Sequence, residues 1–175
     1  MHNPIDRTGH AAKELPGQYL TFTLGSELFA VGTLSVREII EYGQLTPVPM
    51  MPPSILGVIN LRGSVVPVID LRLRFGESAT LINRRTCIVI LEVAQGEVTQ
   101  VIGIVVDAVN AVLEIGAHEI EPAPRFGTRV RSDFILGMGK VEGRLVILLD
   151  IGRVLSAEEI ELLASAERPG TLAFA

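Results

Sequence analysis

The sequence predicts a mainly all-β protein, organised as two small β units packed together and followed by one C-terminal helix. Three observations carry that reading. Short Val- and Ile-rich runs are separated by glycine-containing turn signals, the pattern of small barrels rather than of helical layers. Helix signals are few. The chain also repeats itself at an offset of eighty residues, which points to two copies of one unit.

Taken in order, residues 1 to 17 carry no apolar periodicity and read as a flexible arm. Tyr19-Leu20-Thr21-Phe22-Thr23-Leu24 alternates strictly, placing Leu20, Phe22 and Leu24 on one face of a strand. Gly25-Ser26 marks a turn, and Glu27 to Val31 forms the returning strand. Val36-Arg37-Glu38-Ile39-Ile40 reads as a half-buried strand with Val36 and Glu38 on one side. Helical turns are expected at Pro53 to Leu56 and at Leu71 to Phe75. Between them Gly57 to Leu61 and Val65 to Ile69 form a hairpin about Arg62-Gly63-Ser64. The second half supplies strands at Thr86 to Val93, Val101 to Val106 and Arg144 to Leu149. Ser156-Ala157-Glu158-Glu159 is a capping box opening a helix at about 157–168, which ends before Pro169. Residues 169–175 read as a tail.

The repeat is specific in its order. Ile55-Leu56-Gly57 recurs as Ile135-Leu136-Gly137, and at the same offset Gly63 matches Gly143, Val66 matches Val146 and Asp70 matches Asp150. Phe29 to Glu41 resembles Ile102 to Glu114 in apolar pattern, and Pro47-Val48-Pro49 is echoed by Pro122-Ala123-Pro124. The units are read as a first barrel at about 19–75 and a second at about 86–155. Units of some sixty residues bury too little surface to stand alone, so a shared apolar seam is expected between them, with a groove beside it.

The charge balance is acidic, with fifteen basic and twenty acidic residues giving −5. That argues against wrapping nucleic acid, where clustered cations must replace phosphate counterions. Mean hydropathy is high, but the longest uncharged stretch, Tyr42 to Leu61, holds Pro47, Pro49, Pro52 and Pro53, which would break a spanning helix. No basic-then-apolar leader opens the chain. The single cysteine, Cys87, sits in an apolar run and has no partner for an internal disulfide. A reducing, cytoplasmic setting is expected. His2, His10 and His118 are scattered, so no metal site is expected.

No catalytic constellation emerges. Asp70 and Asp150 invite comparison with a carboxylate pair that activates water, but Leu71-Arg72 and Ile151-Gly152 follow them rather than a small Gly-rich turn. Each stands where a strand gives way to a helical turn, the position of an N-cap. Gly137-Met138-Gly139-Lys140 lacks phosphate-loop spacing. Cys87 reads as a buried strand residue despite Arg84 and Arg85 beside it. Thirteen of the fifteen basic residues are Arg, whose planar forks suit protein interfaces. Arg62, at a predicted hairpin tip, is on its own most simply a solvated turn charge.

A family resemblance alters that last reading. Phe22 to Val31, Val36-Arg37-Glu38-Ile39-Ile40 and above all Pro52 to Arg72, with its run Ile55-Leu56-Gly57-Val58-Ile59-Asn60-Leu61-Arg62-Gly63, resemble the bacterial chemotaxis coupling protein family CheW. Gly103 to Asp107, Val109 to Leu113, Pro122-Ala123-Pro124 and Phe134 to Gly137 agree. The resemblance covers about residues 18–165, within a domain read as 18–168, and implies two SH3-like five-stranded β-barrels. It implies a non-catalytic adaptor, without cofactor or metal, that joins chemoreceptor tips to the regulatory domain of the histidine kinase CheA. The resemblance further implies a ring-like assembly at arrays beneath the inner membrane, without membrane insertion. Receptor-contact positions carry over onto Val36, Glu38, Ile39 and Arg62, with Val112 a weaker candidate. Gly57, Gly63 and Gly137 carry over as turn and packing residues near that surface. Two departures stand out: a longer hairpin at Ala94 to Gln100, and an N-terminal arm without a specific motif. Related readings are a kinase regulatory module, the coupling half of an adaptor–receiver protein such as CheV, and a paralogue serving a non-motility pathway. An aspartate-pair hydrolase is the remote enzymatic alternative.

Overall fold

In the computed structural model, residues 17–95, 97–122 and 134–154 are described. The predicted C-terminal helix at 157–168, the tail at 169–175 and nearly all of the arm lie outside them. The strands are β1 (Gly17–Leu24), β2 (Glu27–Gly32), β3 (Val36–Glu41), β4 (Ile55–Leu61), β5 (Ser64–Asp70) and β6 (Cys87–Gln95). They continue with β7 (Val98–Val106), β8 (Ala108–Ile115), β9 (Ile120–Glu121), β10 (Ile135–Val141) and β11 (Arg144–Leu149). Two single helical turns, α1 (Leu71–Arg74) and α2 (Ile151–Val154), follow β5 and β11.

The strands form two sheets, ordered β8-β1-β2-β11-β10-β9 and β3-β6-β7-β5-β4. Each curls into a small barrel, called here the β1 barrel and the β6 barrel. The β6 barrel closes where Thr46, just past β3, bridges Val58 of β4 through paired backbone bonds of 2.9 and 2.8 Å. The β1 barrel closes in the same way, with β9 taking the place of Thr46 against Met138 and Gly139 of β10.

The barrels do not coincide with the units 19–75 and 86–155 read from the repeat. All five strands of the β6 barrel come from the continuous segment 36–106, while the β1 barrel is assembled from its two flanks. The repeat itself is real at the level of register. Phe22 faces Phe29 as Leu91 faces Ile102, and the parallel pair Ala30–Leu148 corresponds to Gly103–Val68. Bulges recur at equivalent places, between Val36 and Glu38 against β6 and between Phe22 and Thr21 against β8. The correction has a simple cause. A repeat states what each unit contains, and hydrogen bonding then decides which copy pairs with which. The Thr33–Ser35 turn carries the chain out of the β1 barrel before β3 can pair with β2, so every barrel is one hairpin out of phase with the repeat. The helical turn expected at Pro53 to Leu56 is a second correction. Only a tight turn, with Ile55 N–H bonded to Pro52 C=O at 3.0 Å, precedes the strand, and Ile55 and Leu56 already belong to β4.

Burial follows the same plan. The interior of the β1 barrel holds Tyr19, Ala30, Ile115, Val146 and Leu148, and that of the β6 barrel Val66, Val68, Ile88, Ile90 and Val105. The largest core lies between the barrels and takes side chains from both, among them Leu20, Phe22, Phe29, Leu71, Val89, Leu91, Ile102, Ile104 and Ile147. The alternation of β1 and β6 explains this: one face fills its own barrel and the other fills the seam. A run of rings, Phe22, Phe29, Phe75 and Phe134, spaced 6.2, 5.9 and 6.0 Å, threads the seam. Arg74 of α1 donates Nε–H to the Val154 carbonyl of α2 at 2.8 Å, tying the two equivalent helical turns together.

Candidate functional site

Four of the five proposed receptor-contact residues meet at one edge of the β6 barrel. Val36 begins β3 half-buried, packed on the inter-barrel core. The bulge after it resets the alternation, so that Ile40 packs on the barrel interior and Ile39 points outward, 43% exposed. Glu38 lies on the Ile40 side and reaches across the sheet's open end to Arg62. The two terminal guanidinium nitrogens donate to its two carboxylate oxygens, Nη2 to Oε1 at 3.0 Å and Nη1 to Oε2.

Arg62 occupies a demanding position. It and Gly63 form a two-residue hairpin loop between Leu61 and Ser64, with φ of +53° and +86°. Positive φ at both residues is the mark of a type I′ turn, in which Asn or Gly is usual at the first position. Arg there carries backbone strain, and such strain concentrates at functional sites. Asn60 fastens the turn by accepting the Gly63 N–H at 2.9 Å on its side-chain oxygen.

The Arg62 fork holds the Glu38 carboxyl below its ordinary range, chiefly through the side-chain hydrogen bond; partial burial works against this, and the Arg37 charge adds a smaller lowering. The same bond raises Arg62. The pair therefore stays ionised at neutral pH. It rims a cleft of about 320 Å³ whose apolar lining includes Leu61, Val65, Val66, Ile90 and Val101. Val66 and Ile90 belong to the barrel interior, so the cleft is the mouth of the β6 barrel.

Val112 lies elsewhere, on β8 of the β1 barrel, paired with Leu20 and 56% exposed. It is the repeat counterpart of Ile39. Sequence reasoning missed Val109, the counterpart of Val36, which packs on the same inter-barrel core. The match of Phe29–Glu41 to Ile102–Glu114 held the signal for it.

The three glycines divide by cause. A Cβ on Gly57 would stand 2.5 Å from the Thr46 carbonyl oxygen, inside the bridge that closes the β6 barrel. On Gly137 it would stand 2.8 Å from Ile120 Cγ2 and 3.0 Å from the Glu121 carbonyl oxygen, at the equivalent closure. Gly63 has open space around it and is required only by its turn.

The paired aspartates are committed separately. Asp70, buried, caps α1 by accepting from Arg72 N–H at 3.0 Å, and binds the Thr80 hydroxyl and N–H, both at 2.9 Å. Asp150 has Arg153 Nε at 3.5 Å from its carboxylate. Among the described residues no group of three or more His, Cys, Asp or Glu is placed to hold a metal ion. No described helix is long and apolar enough to cross a membrane.

Twin barrels around a common core carry an ion pair and outward apolar side chains at strand edges. Comparison with known proteins gives the family. The CheW-like domain model matches residues 18–159. The chain is 40% identical over 153 residues to the chemotaxis protein CheW of Klebsiella aerogenes, covering 87% of this chain and 90% of that protein. To the chemotaxis protein CheW of Rhizobium meliloti it is 34% identical, covering 87% and 97%. The crystal structure of the scaffolding protein TtCheW from Thermoanaerobacter tengcongensis superposes with a TM-score of 0.73 at 30% identity, over 86% of this chain and 95% of that one. The chain belongs to the CheW family of chemotaxis adaptor proteins.

Proposed function

We propose that this protein couples chemoreceptor tips to the histidine kinase CheA, binding both without chemistry of its own, on the cytoplasmic side of receptor arrays. The observation that carries the receptor half is the Glu38–Arg62 fork at the mouth of the β6 barrel, with Ile39 exposed beside it. An apolar anchor next to an oriented charge pair supplies both contact area and register for a helical partner. Val36 and Val112 extend that surface toward the seam and onto the second barrel, and Gly57, Gly63 and Gly137 hold its strands in place. The kinase half rests on family membership, with the kinase's regulatory domain as partner in a ring-like assembly. An adaptor alters kinase output only by contacting the active and inactive states differently.

The test is CheA autophosphorylation with receptor-containing membranes, with and without the protein. A large, attractant-sensitive rise on addition is expected, and Arg62→Ala should lower the receptor affinity about tenfold. No rise, with cognate receptor and kinase each active, would assign the protein to a different chemosensory partner set.

A further inference from the structure

The register equivalence has a consequence for any segment that binds across the seam. The register equivalence is reciprocal: β3 answers to β8 and β8 to β3, each pairing with the first hairpin of the opposite repeat, which is the exchange a two-fold makes. A segment lying across such an axis is reversed in direction by it. A groove that obeyed the symmetry would bind a helix equally well in both directions.

The apolar part of the surface nearly obeys it. Val36 and Val109 both pack on the common core, and Ile39 and Val112 are both exposed. The polar part does not. Glu38 pairs with Ile90 in the ladder as Ala111 pairs with Thr21. The turn residue equivalent to Arg62 is Glu142, at φ +52° before Gly143 at +77°. On one barrel, then, a carboxylate and a guanidinium form a fork. On the other, a methyl group and a carboxylate occupy the same backbone positions. Arg62 remains 74% exposed with only two of its N–H groups directed to Glu38, so it has donors left for a partner's acceptor. Glu38 stands two residues, about 7 Å, along the strand from the seam residue Val36.

We infer that the Glu38–Arg62 fork, present on one barrel and absent from its equivalent, sets the direction in which the receptor segment lies across the seam. Its role is positional: apolar edges on both barrels hold the segment, and the fork selects one of two otherwise similar poses. This inference rests on the receptor-coupling reading above.

The experiment uses the full chain with Cys87→Ala and a single new thiol, Ile39→Cys or Val112→Cys. The probe is the cytoplasmic fragment of a cognate chemoreceptor with one cysteine on either flank of its tip, and disulfide yields are read. With the fork intact, Ile39→Cys should prefer one flank and Val112→Cys the other, each by about tenfold or more. Adding Ala111→Glu and Glu142→Arg builds a second fork and leaves in place the bonds between the Thr21 hydroxyl and the Ala111 backbone N–H and C=O. That variant should keep its affinity while both flanks cross-link about equally. Deleting the fork with Glu38→Ala and Arg62→Ala should also level the yields, at lower affinity. A one-sided pattern that survives in either variant overturns the inference. Absence of receptor binding by the unaltered chain overturns the coupling reading itself, a distinct result.

Discussion

Glu38 and Arg62 are 24 positions apart, on opposite margins of one sheet. No periodicity links them, so the contact was not legible in the sequence, although both residues were singled out by family resemblance. Their ionic link has a direct signature. Because Arg62 lowers the folded-state pKa of Glu38 below its ordinary 4.5, the pair's contribution is fully present above that value. It is lost as pH falls through the lowered one. A carboxyl NMR titration should place Glu38 below its ordinary value, and Arg62→Ala should return it upward. An unchanged midpoint would mean that the fork does not persist in solution. Asp70 shows the opposite kind of residue: its place between a strand and a helical turn predicts an N-cap from sequence alone, and it caps α1. Of its three donors, one is the Arg72 N–H of α1 and two, both on Thr80, tie the connection at 76–85 to the core. Asp70→Ala should cost about 2–4 kcal/mol in denaturant unfolding, since Thr80 and the first turn of α1 lose a buried acceptor.

At the scale of elements, the repeat was visible because close backbone approach admits few residues. Gly57 and Gly137 recur eighty positions apart since each barrel closes by pressing a short strand against the same point of the hairpin. Gly57→Ala should therefore destabilise by about 1–3 kcal/mol through overpacking against the Thr46 carbonyl. Gly63→Ala should cost about 1–2 kcal/mol from its left-handed backbone alone. Thermal unfolding of the two variants, with Gly57→Ala also exposing the edge of β4 to amide exchange, distinguishes closure from turn strain. Hairpins β1–β2 and β4–β5 were readable from alternation and turn residues. The closing strand β9 was not, because two residues carry no period. The turn before β4 was misread because Pro53 and Ser54 resemble a helix start, whereas the backbone bonds of Val58 to Thr46 draw the following residues into the sheet.

For the whole molecule, the sequence announced two units and a seam, and the seam is the principal core. Which strands share a barrel was not legible, because ladder partners are chosen over long separations that local pattern does not record. The phase shift between repeat and barrel makes a clear prediction for fragments. A chain cut between Asn83 and Arg84 yields one piece with β1 to β5 and another with β6 to β11. Neither contains a complete barrel, so each should be unfolded alone, and mixing should restore a β-rich one-to-one complex. Circular dichroism of the separate fragments checks this. An independently folded fragment would instead restore 19–75 and 86–155 as autonomous units.

The same arrangement orders events in time. A chain leaving the ribosome completes the β6 barrel once Val106 has emerged, because every strand it needs lies within 36–106. The β1–β2 hairpin, made first, must wait for β8 and β11. Until then one face of it, with Leu20, Phe22, Leu24 and Phe29, can be sheltered only by lying on the newly formed barrel. The first hairpin to form is thus among the last elements to complete its sheet, and the barrel formed from the middle segment acts as the surface on which the flanking strands are assembled.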